Sequence, residues 1–412
     1  AVCVCVCVCV CVYSASSQAS MSASRSSEEE LSEEQLEEEL KELAVGEDGR
    51  LEESAPSGGF WFNNEAEVKR QRKAVMKFVR QLGKNFFMGK DLVSVSMPVS
   101  LFEPRSFLQR ITDNWCYLPI FLDRAASESD PLERFKLVIT FAVAGLHCTC
   151  IDKKPFNPIL GETYEAKYED GTEVYCEQTC HHPPVSHWQV IGKEDSFRFT
   201  GYASWSASFR GNSIKGQQSG PNVIAFPDDT VIEYHLPYLH VRGVLWGPRV
   251  IEYGGKVTFT DHKNNLRAEI KFDADKPGFF KSVGSFFTRS KRPPSDLIRG
   301  EIVQVSRQAN GKERTNPICK VQGTWLGYVE FSKAGTKDQF EKYWEMGKMQ
   351  PVRPIPVENP LPSDCRYRED LIKLAEGDED ASQEMKVMLE EKQRRERRLR
   401  EQYAKAARKA RK

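Results

Sequence analysis

The 412-residue chain reads as an α+β fold dominated by antiparallel strands, because its first third repeats at helical spacing and its remainder alternates with a period of two. From Phe197 to Phe209 the odd positions hold Phe197, Phe199, Gly201, Ala203, Trp205, Ala207 and Phe209, while Arg198, Thr200, Tyr202, Ser204, Ser206 and Ser208 fill the even ones. That is the signal of a half-buried strand. Leu266, Ala268, Ile270 and Phe272 alternate with Arg267, Glu269 and Lys271 in the same way, and Val321 to Phe331 repeats the pattern with Gly323, Trp325 and Gly327 inward. Recurrent glycine on one face of antiparallel strands predicts strong curvature, and therefore a large barrel or sandwich.

The elements follow in order. Residues 1–12 read AVCVCVCVCVCV, which is what an in-frame GT repeat encodes, so residues 1–20 are expected to be a translation artefact ahead of a start at Met21. The stretch to residue 59 is Ser/Glu-rich, closes on Pro56-Ser57-Gly58-Gly59, and is expected to be disordered. Residues 64–82 predict a helix. Val68, Val75, Val79 and Leu82 recur at helical spacing, Met76 and Phe78 broaden the stripe, and Lys69, Arg70, Arg72, Lys73 and Lys77 fill most of the rest. Two readings stay open for it: a helix packed on the core, or an amphipathic lid over residues 60–90 that also touches membranes. Residues 104–146 predict two or three helices, the last opening on Asp130-Pro131, an N-cap followed by proline at the first helical position. Asp170-Gly171 predicts a hairpin turn between two short strands. From about Ala381 a helix runs to the end, and the spacing of four puts Lys386, Glu390 and Arg394 on one of its faces.

Composition bounds the class. At 40% hydrophobic and 29% charged residues, the chain can bury one large core with polar tails to spare. The formal net charge of zero conceals an acidic block at 28–53 and a basic one at 392–412, where eleven Lys/Arg face only Glu396 and Glu401. The basic block is either a solvated helix end or a segment drawn to anionic membranes. Beyond the repeat, the cysteines are Cys116, Cys148, Cys150, Cys176, Cys180, Cys319 and Cys365, an odd set without a CxxC pair. They fit a reducing, cytosolic location better than a disulfide scaffold. The longest apolar run, Leu137 to Leu146, falls short of the ~20 residues of a spanning helix, so membrane contact is expected to be peripheral.

Two segments carry the chemistry: Lys154-Pro155-Phe156-Asn157-Pro158-Ile159-Leu160-Gly161-Glu162, and Glu177-Gln178-Thr179-Cys180-His181-His182-Pro183-Pro184. Two histidines before two prolines cannot lie inside a helix, so they are expected on a stiff, extended segment. Together with an upstream lysine and asparagine they offer several donors and a permanent charge, a set suited to phosphate. A metal cluster of Cys176, Cys180, His181, His182 and His187 matches no common zinc spacing. A hydrolase using Glu177 and a histidine lacks a nucleophile motif.

Both segments resemble the signature of the oxysterol-binding protein-related lipid-transfer family, with Thr179 and Cys180 standing where the family usually has Val and Ser. The likeness extends through Gly89-Lys90-Asp91-Leu92, Met97-Pro98-Val99, Glu103-Pro104-Arg105-Ser106-Phe107-Leu108-Gln109-Arg110 and Leu389-Glu390-Glu391-Lys392-Gln393-Arg394, covering roughly residues 88–400. The resemblance implies an incomplete antiparallel barrel around a lipid tunnel at 91–380, flanked by helices, closed by an N-terminal lid and by the helix at 381–412. It also implies the headgroup set. Lys154, Asn157 and Lys386 would hold the glycerol-linked phosphate of phosphatidylinositol 4-phosphate, and His181, His182 and Arg394 the inositol phosphate. Glu390 would orient Lys386 or accept from a ring hydroxyl. No enzyme activity, cofactor, metal or nucleic-acid partner is implied; the expected protein is a monomer that exchanges this lipid for a second one at membranes or contact sites. Gly89–Leu92, Met97–Val99 and Leu122-Asp123-Arg124-Ala125 look like sterol carriers, whereas Glu103–Leu108, Arg210-Gly211-Asn212-Ser213 and Pro237–Gly243 look like phosphatidylserine carriers. Sterol is the expected second cargo, with phosphatidylserine the alternative.

Overall fold

A computed structural model describes residues 54–82, 97–181, 183–272, 294–308, 310–333, 336 and 339–410. The expected lid falls partly outside this set, as do Gly89–Leu92 and His182. In chain order the strands are β1 (Phe60–Trp61), β2 (Phe102–Ser106), β3 (Lys154–Phe156), β4 (Thr163–Lys167), β5 (Glu173–His181), β6 (Pro184–Ile191), β7 (Arg198–Arg210), β8 (Ser213–Ser219) and β9 (Asn222–Ala225). They continue with β10 (Val231–Tyr234), β11 (Tyr238–Arg242), β12 (Val250–Asp261), β13 (Leu266–Phe272), β14 (Leu297–Arg307), β15 (Glu313–Thr324), β16 (Tyr328–Ser332), β17 (Phe340–Glu345) and β18 (Ile355–Pro356). The longer helices are α1 (Glu65–Leu82), α2 (Leu118–Ser127), α3 (Pro131–Ala144), α4 (Glu369–Ala375) and α5 (Glu379–Ala410).

Sixteen strands form one sheet in the order β17-β16-β15-β14-β13-β12-β10-β9-β7-β6-β5-β4-β18, with β1, β8 and β11 joining at its side. The named ladders of this sheet are antiparallel; β2 and β3 form a separate parallel pair. The alternation read from the sequence is the inward face: Phe197, Phe199, Ala203, Leu266, Ala268, Ile270 and Phe272 are buried. Gly201 has a reason to be glycine, since a Cβ there would stand 2.4 Å from the Trp188 ring.

Among the described residues no ladder joins β17 to β18, so the barrel is incomplete. The helical segment fills the gap. On one side Lys136 of α3 lies over the rings of Phe331 and Tyr343, and the Tyr343 hydroxyl donates to Glu133. On the other side Tyr168 donates to the Trp115 carbonyl at 2.9 Å, and the Trp115 ring packs on Trp188 and Phe199 at 5.5 and 5.3 Å. The Asp130 carboxylate caps α3 by accepting from Leu132 N at 2.8 Å, with Pro131 in the first turn, as its sequence predicts.

One local expectation is corrected. Val321 to Phe331 is a hairpin, in which Val321 pairs with Phe331. The chain reverses at 325–327, where Gly327 N donates to the Thr324 carbonyl at 3.1 Å, while Trp325 is buried in either reading, so the alternation conceals the turn. The His-His-Pro-Pro segment places His181 at the end of strand β5, in extended backbone as its sequence predicts, paired with Pro184, which opens β6. Proline is tolerated at the first residue of a strand, which is the place Pro184 takes.

Helix α1 is docked on the core. Asn64 caps it by accepting from Glu67 N at 3.0 Å; Val68 enters the main core and Val75 packs with Val99, Phe102, Phe156 and Leu371. Met76, expected in the apolar stripe, is 37% exposed, and the Phe78, Val79 and Leu82 side chains lie outside the described residues. A polar latch completes the docking. The buried Gln71 amide donates to the Asp152 carboxylate and carbonyl at 2.7 and 2.9 Å and accepts from Arg249 at 2.5 Å.

Candidate functional site

The two signature segments are stitched together by the backbone. Gly161 N donates to the Gln178 carbonyl and Gln178 N to the Glu162 carbonyl, both at 2.9 Å. A register shift between Gln178 and Cys180 marks a bulge, the device by which a strand re-aims its following side chains. Gln178 is buried and holds the bulge, its amide donating to the Cys180 carbonyl at 2.8 Å and its oxygen accepting from Ser186. His181 follows at the end of β5, paired with Pro184; His182 is outside the described residues.

The loop itself rests on a buried ionic post. Glu162 accepts from Ser106, from Ile159 N at 2.8 Å and from Arg368 at 2.8 Å. Arg368 also donates to the Asn157 carbonyl at 2.7 Å and pairs with Asp370 at 2.6 Å. Burial pushes the Glu162 carboxyl up, and the Arg368 charge and the Ser106 bond oppose it. The Asp370 carbonyl accepts from Ser382 of α5 at 2.7 Å, and Gln383 and Gln393 of α5 accept from Val99 N at 2.9 Å and Leu160 N at 3.3 Å. One network therefore fixes both the loop and the C-terminal helix.

On that frame, four of the residues singled out in the sequence converge. Lys154 and Lys386 are 3% and 6% exposed, and their ammonium nitrogens lie 4.5 and 5.4 Å from the centroid of the Phe102 ring. Lys154 donates to the Asn157 side-chain oxygen and to the Pro155 carbonyl at 3.0 Å. Lys386 pairs with Glu390 at 2.7 Å, and Arg394 reaches the other Glu390 oxygen at 3.4 Å. Burial holds the Lys386 pKa below the usual lysine value, Glu390 opposes that, and the positive charge of Lys154 depresses it further. Two cations held toward one aromatic ring suit an anion, with Glu390 and, less strongly, Asp370 offsetting part of the charge on Lys386. Arg394 is 49% exposed and stands at the outer rim.

Glu162, Arg368, Ser106, Gln178, Gln383 and Gln393 were not singled out as site residues in the sequence. Glu162 and Gln178 lie inside the quoted motifs, but Arg368 is 206 positions from Glu162, and nothing local in the sequence announces that pairing.

A family model described as "Oxysterol-binding protein" matches residues 78–410. Oxysterol-binding protein 9 of Dictyostelium discoideum is 38% identical over 351 residues, covering 82% of this chain and 78% of the relative. Oxysterol-binding protein-related protein 5 of Mus musculus is 33% identical over 321 residues; the match covers 74% of this chain and 34% of that relative, so the chain spans about a third of its length. Among solved structures, the Osh3 ORD of Saccharomyces cerevisiae in complex with PI(4)P aligns with a TM-score of 0.60 at 26% identity, covering 80% of this chain and 85% of the other. The Osh1 ORD domain in complex with ergosterol aligns with a TM-score of 0.60 at 23% identity, covering 83% and 90%.

Proposed function

Since the chain belongs to the oxysterol-binding protein family, a family of lipid-binding proteins, we propose that it extracts phosphatidylinositol 4-phosphate from one membrane and exchanges it for a second lipid, a sterol, at another. The observation that carries this reading is the pair of buried ammoniums of Lys154 and Lys386 against Phe102. A buried cation is retained where counter-charge offsets its desolvation; Glu390 and Asp370 act on Lys386, and a phosphate against Lys154 and Lys386 adds to them. Lys154, Asn157 and Lys386 take the glycerol-linked phosphate and His181, His182 and Arg394 the inositol phosphate, with Glu390 orienting Lys386. The barrel keeps the acyl chains or the sterol rings out of water, which is the requirement for a shuttle.

A PI(4)P complex of the yeast Osh3 domain and an ergosterol complex of the Osh1 domain support the two cargo classes. Because one interior takes one lipid, the cargoes compete. Helix α1 acts as the lid, and the basic end of α5 adds attraction to anionic membranes of ~1 kcal/mol per basic residue near the surface. Mass spectrometry of lipids co-purifying with the full chain tests the assignment: a phosphoinositide and a sterol are expected in separate, mutually exclusive complexes. A ternary complex, or phosphatidylserine in place of the sterol, overturns the corresponding part of the reading.

A further inference from the structure

Away from the headgroup site, the helical layer holds a second cluster of reactive side chains. The sulfurs of Cys116 and Cys148 are 3.0 Å apart, inside the contact distance of two unbonded sulfurs, and both thiols are free. Cys116 is 1% exposed; Cys148 is half-buried and so is the more accessible of the two. His147 Nε2 stands 3.4 Å from the Cys148 sulfur and 3.1 Å from the Tyr117 hydroxyl. The imidazole is fixed by stacking on Trp344, with centroids 5.7 Å apart at 19°. Bringing two sulfurs from this separation to a bonded ~2.05 Å takes a shift of about 1 Å.

We propose that Cys116 and Cys148 are a reversible peroxide-sensitive dithiol, with Cys148 the attacking sulfur, His147 its counter-charge and Cys116 the resolving thiol. The Cys148 proton passes to the imidazole, and the thiolate attacks hydrogen peroxide. An S–O bond forms, the O–O bond breaks, and the departing hydroxide takes a proton to leave as water, so Cys148 becomes a sulfenic acid. The Cys116 sulfur then attacks the Cys148 sulfur, the S–O bond breaks, and the hydroxide leaves as a second water with the Cys116 proton. Two thiols and one peroxide give one disulfide and two waters. The electrostatics agree in direction: the Cys148 thiol is pulled down, first by the hydrogen bond from Cys116 and then by His147 against its burial, while burial pushes the Cys116 thiol well up. A low thiol that attacks and a high one that resolves is the division of labour such a pair needs.

The bond would close the loop that carries α2 and α3. It would also pin the turn His147–Thr149, from which the chain runs into Asp152, the acceptor for the α1 latch, and then into Lys154. Oxidation is therefore expected to stiffen the segment that joins the helical layer to the lid.

The test treats the folded full chain with an equimolar dose of hydrogen peroxide, blocks remaining thiols by alkylation, and maps peptides, so that the repeat cysteines at 3–11 are read separately. A Cys116–Cys148 linked peptide that forms before any other cross-link among the seven later cysteines, and that dithiothreitol reverses, is the expected result. In Cys116→Ser, a sulfenic acid trappable with dimedone should accumulate on Cys148. In His147→Phe, which keeps the stacking on Trp344, disulfide formation should slow at least about tenfold in step with the lost thiolate fraction. Cys148 that alkylates no faster than the buried Cys176 and Cys365, or a first sulfenic acid on another cysteine, overturns the assignment. An unchanged rate in His147→Phe overturns the role of the imidazole.

Discussion

Replacing Lys386 by Met separates a ligand-binding cation from a structural one. Met keeps a flexible apolar stem beside Phe102 and removes the ammonium. In the lipid-free protein the losses include the cation–ring contact with Phe102 and the pair with Glu390 at 2.7 Å, and Glu390 is 26% exposed, so its carboxylate relaxes into water. A pair with one solvent-facing partner contributes at most about 1 kcal/mol. The gain is relief from holding a cation at 6% exposure near Lys154. A base whose folded pKa is depressed weighs against folding at every pH below that value, and the penalty fades as pH rises from it toward the ordinary 10.5. Thermal unfolding without lipid should therefore show Lys386→Met at or above the wild-type Tm at pH 7, with any advantage shrinking under alkaline conditions. With lipid the sign reverses. Loss of one charge-assisted bond of ~1.5–3 kcal/mol weakens phosphatidylinositol 4-phosphate roughly 10- to 150-fold. Sterol binding should be nearly unchanged. Titration against liposomes containing each lipid reads the split; a variant that melts several degrees lower yet still extracts the phosphoinositide normally would show that Lys386 holds the fold instead of the ligand.

Changing His181 and His182 together to Ala should abolish phosphoinositide extraction while leaving the circular dichroism of the barrel intact; wild-type extraction removes both from the site. Deleting residues 1–59 should leave liposome transfer nearly unchanged and deleting 60–88 should slow or uncouple it, because only the second deletion removes Val68, Val75 and the Gln71 latch; equal effects, or none, mean that α1 is not the lid. The latch should also respond to pH. Burial, helped by the charge of Glu67, pushes the Asp152 carboxyl up to about 7 from its ordinary 3.8 against the opposing Gln71 bond. The buried site thus favours the neutral acid, and the stability this adds is fully present below 3.8 and is lost as pH rises through about 7. Hydrogen exchange of the α1 amides should accelerate across that window and lose the dependence in Asp152→Asn, and a flat profile in the wild type refutes the coupling.

The barrel was legible because alternation is a local property. Leu266 to Phe272 needs no distant partner to declare its inward face, and Asp170-Gly171 declares its turn by the backbone that Gly171 takes at φ 100. The hairpin inside Val321–Phe331 escaped because burying Trp325 at the turn preserves the alternation that a single strand would show. The site divides in the same way. Lys386, Glu390 and Arg394 are four apart on one helix, and their ion pairs follow from that spacing. The Phe102 ring shared by two lysines 232 positions apart, and the Glu162–Arg368 post, arise from tertiary packing alone. Neither has a periodic signal. The docking of α1 was similarly half-legible: its valines announced an apolar face, but a glutamine on a basic helix gives no hint that Asp152 and Arg249 will meet it.

The position of Phe102 joins α1 to the proposed headgroup site. It packs in one small cluster with Val75 of α1, Phe156 and Leu371, while its ring receives both ammoniums. Pulling α1 away therefore uncovers part of the apolar wall against which Lys154 and Lys386 are held, and water reaching the two cations lowers the electrostatic gain on binding a phosphate. By linkage the effect must run both ways: a phosphate that neutralises the lysines makes the closed cluster more favourable and so tightens α1 by the same free energy. A sterol, which brings no phosphate, has no such lever on this cluster. On the proposed function, the asymmetry would give exchange a direction that one apolar interior alone cannot supply, since a phosphoinositide would strengthen the closure that retains it, whereas a sterol would be held by burial in the barrel.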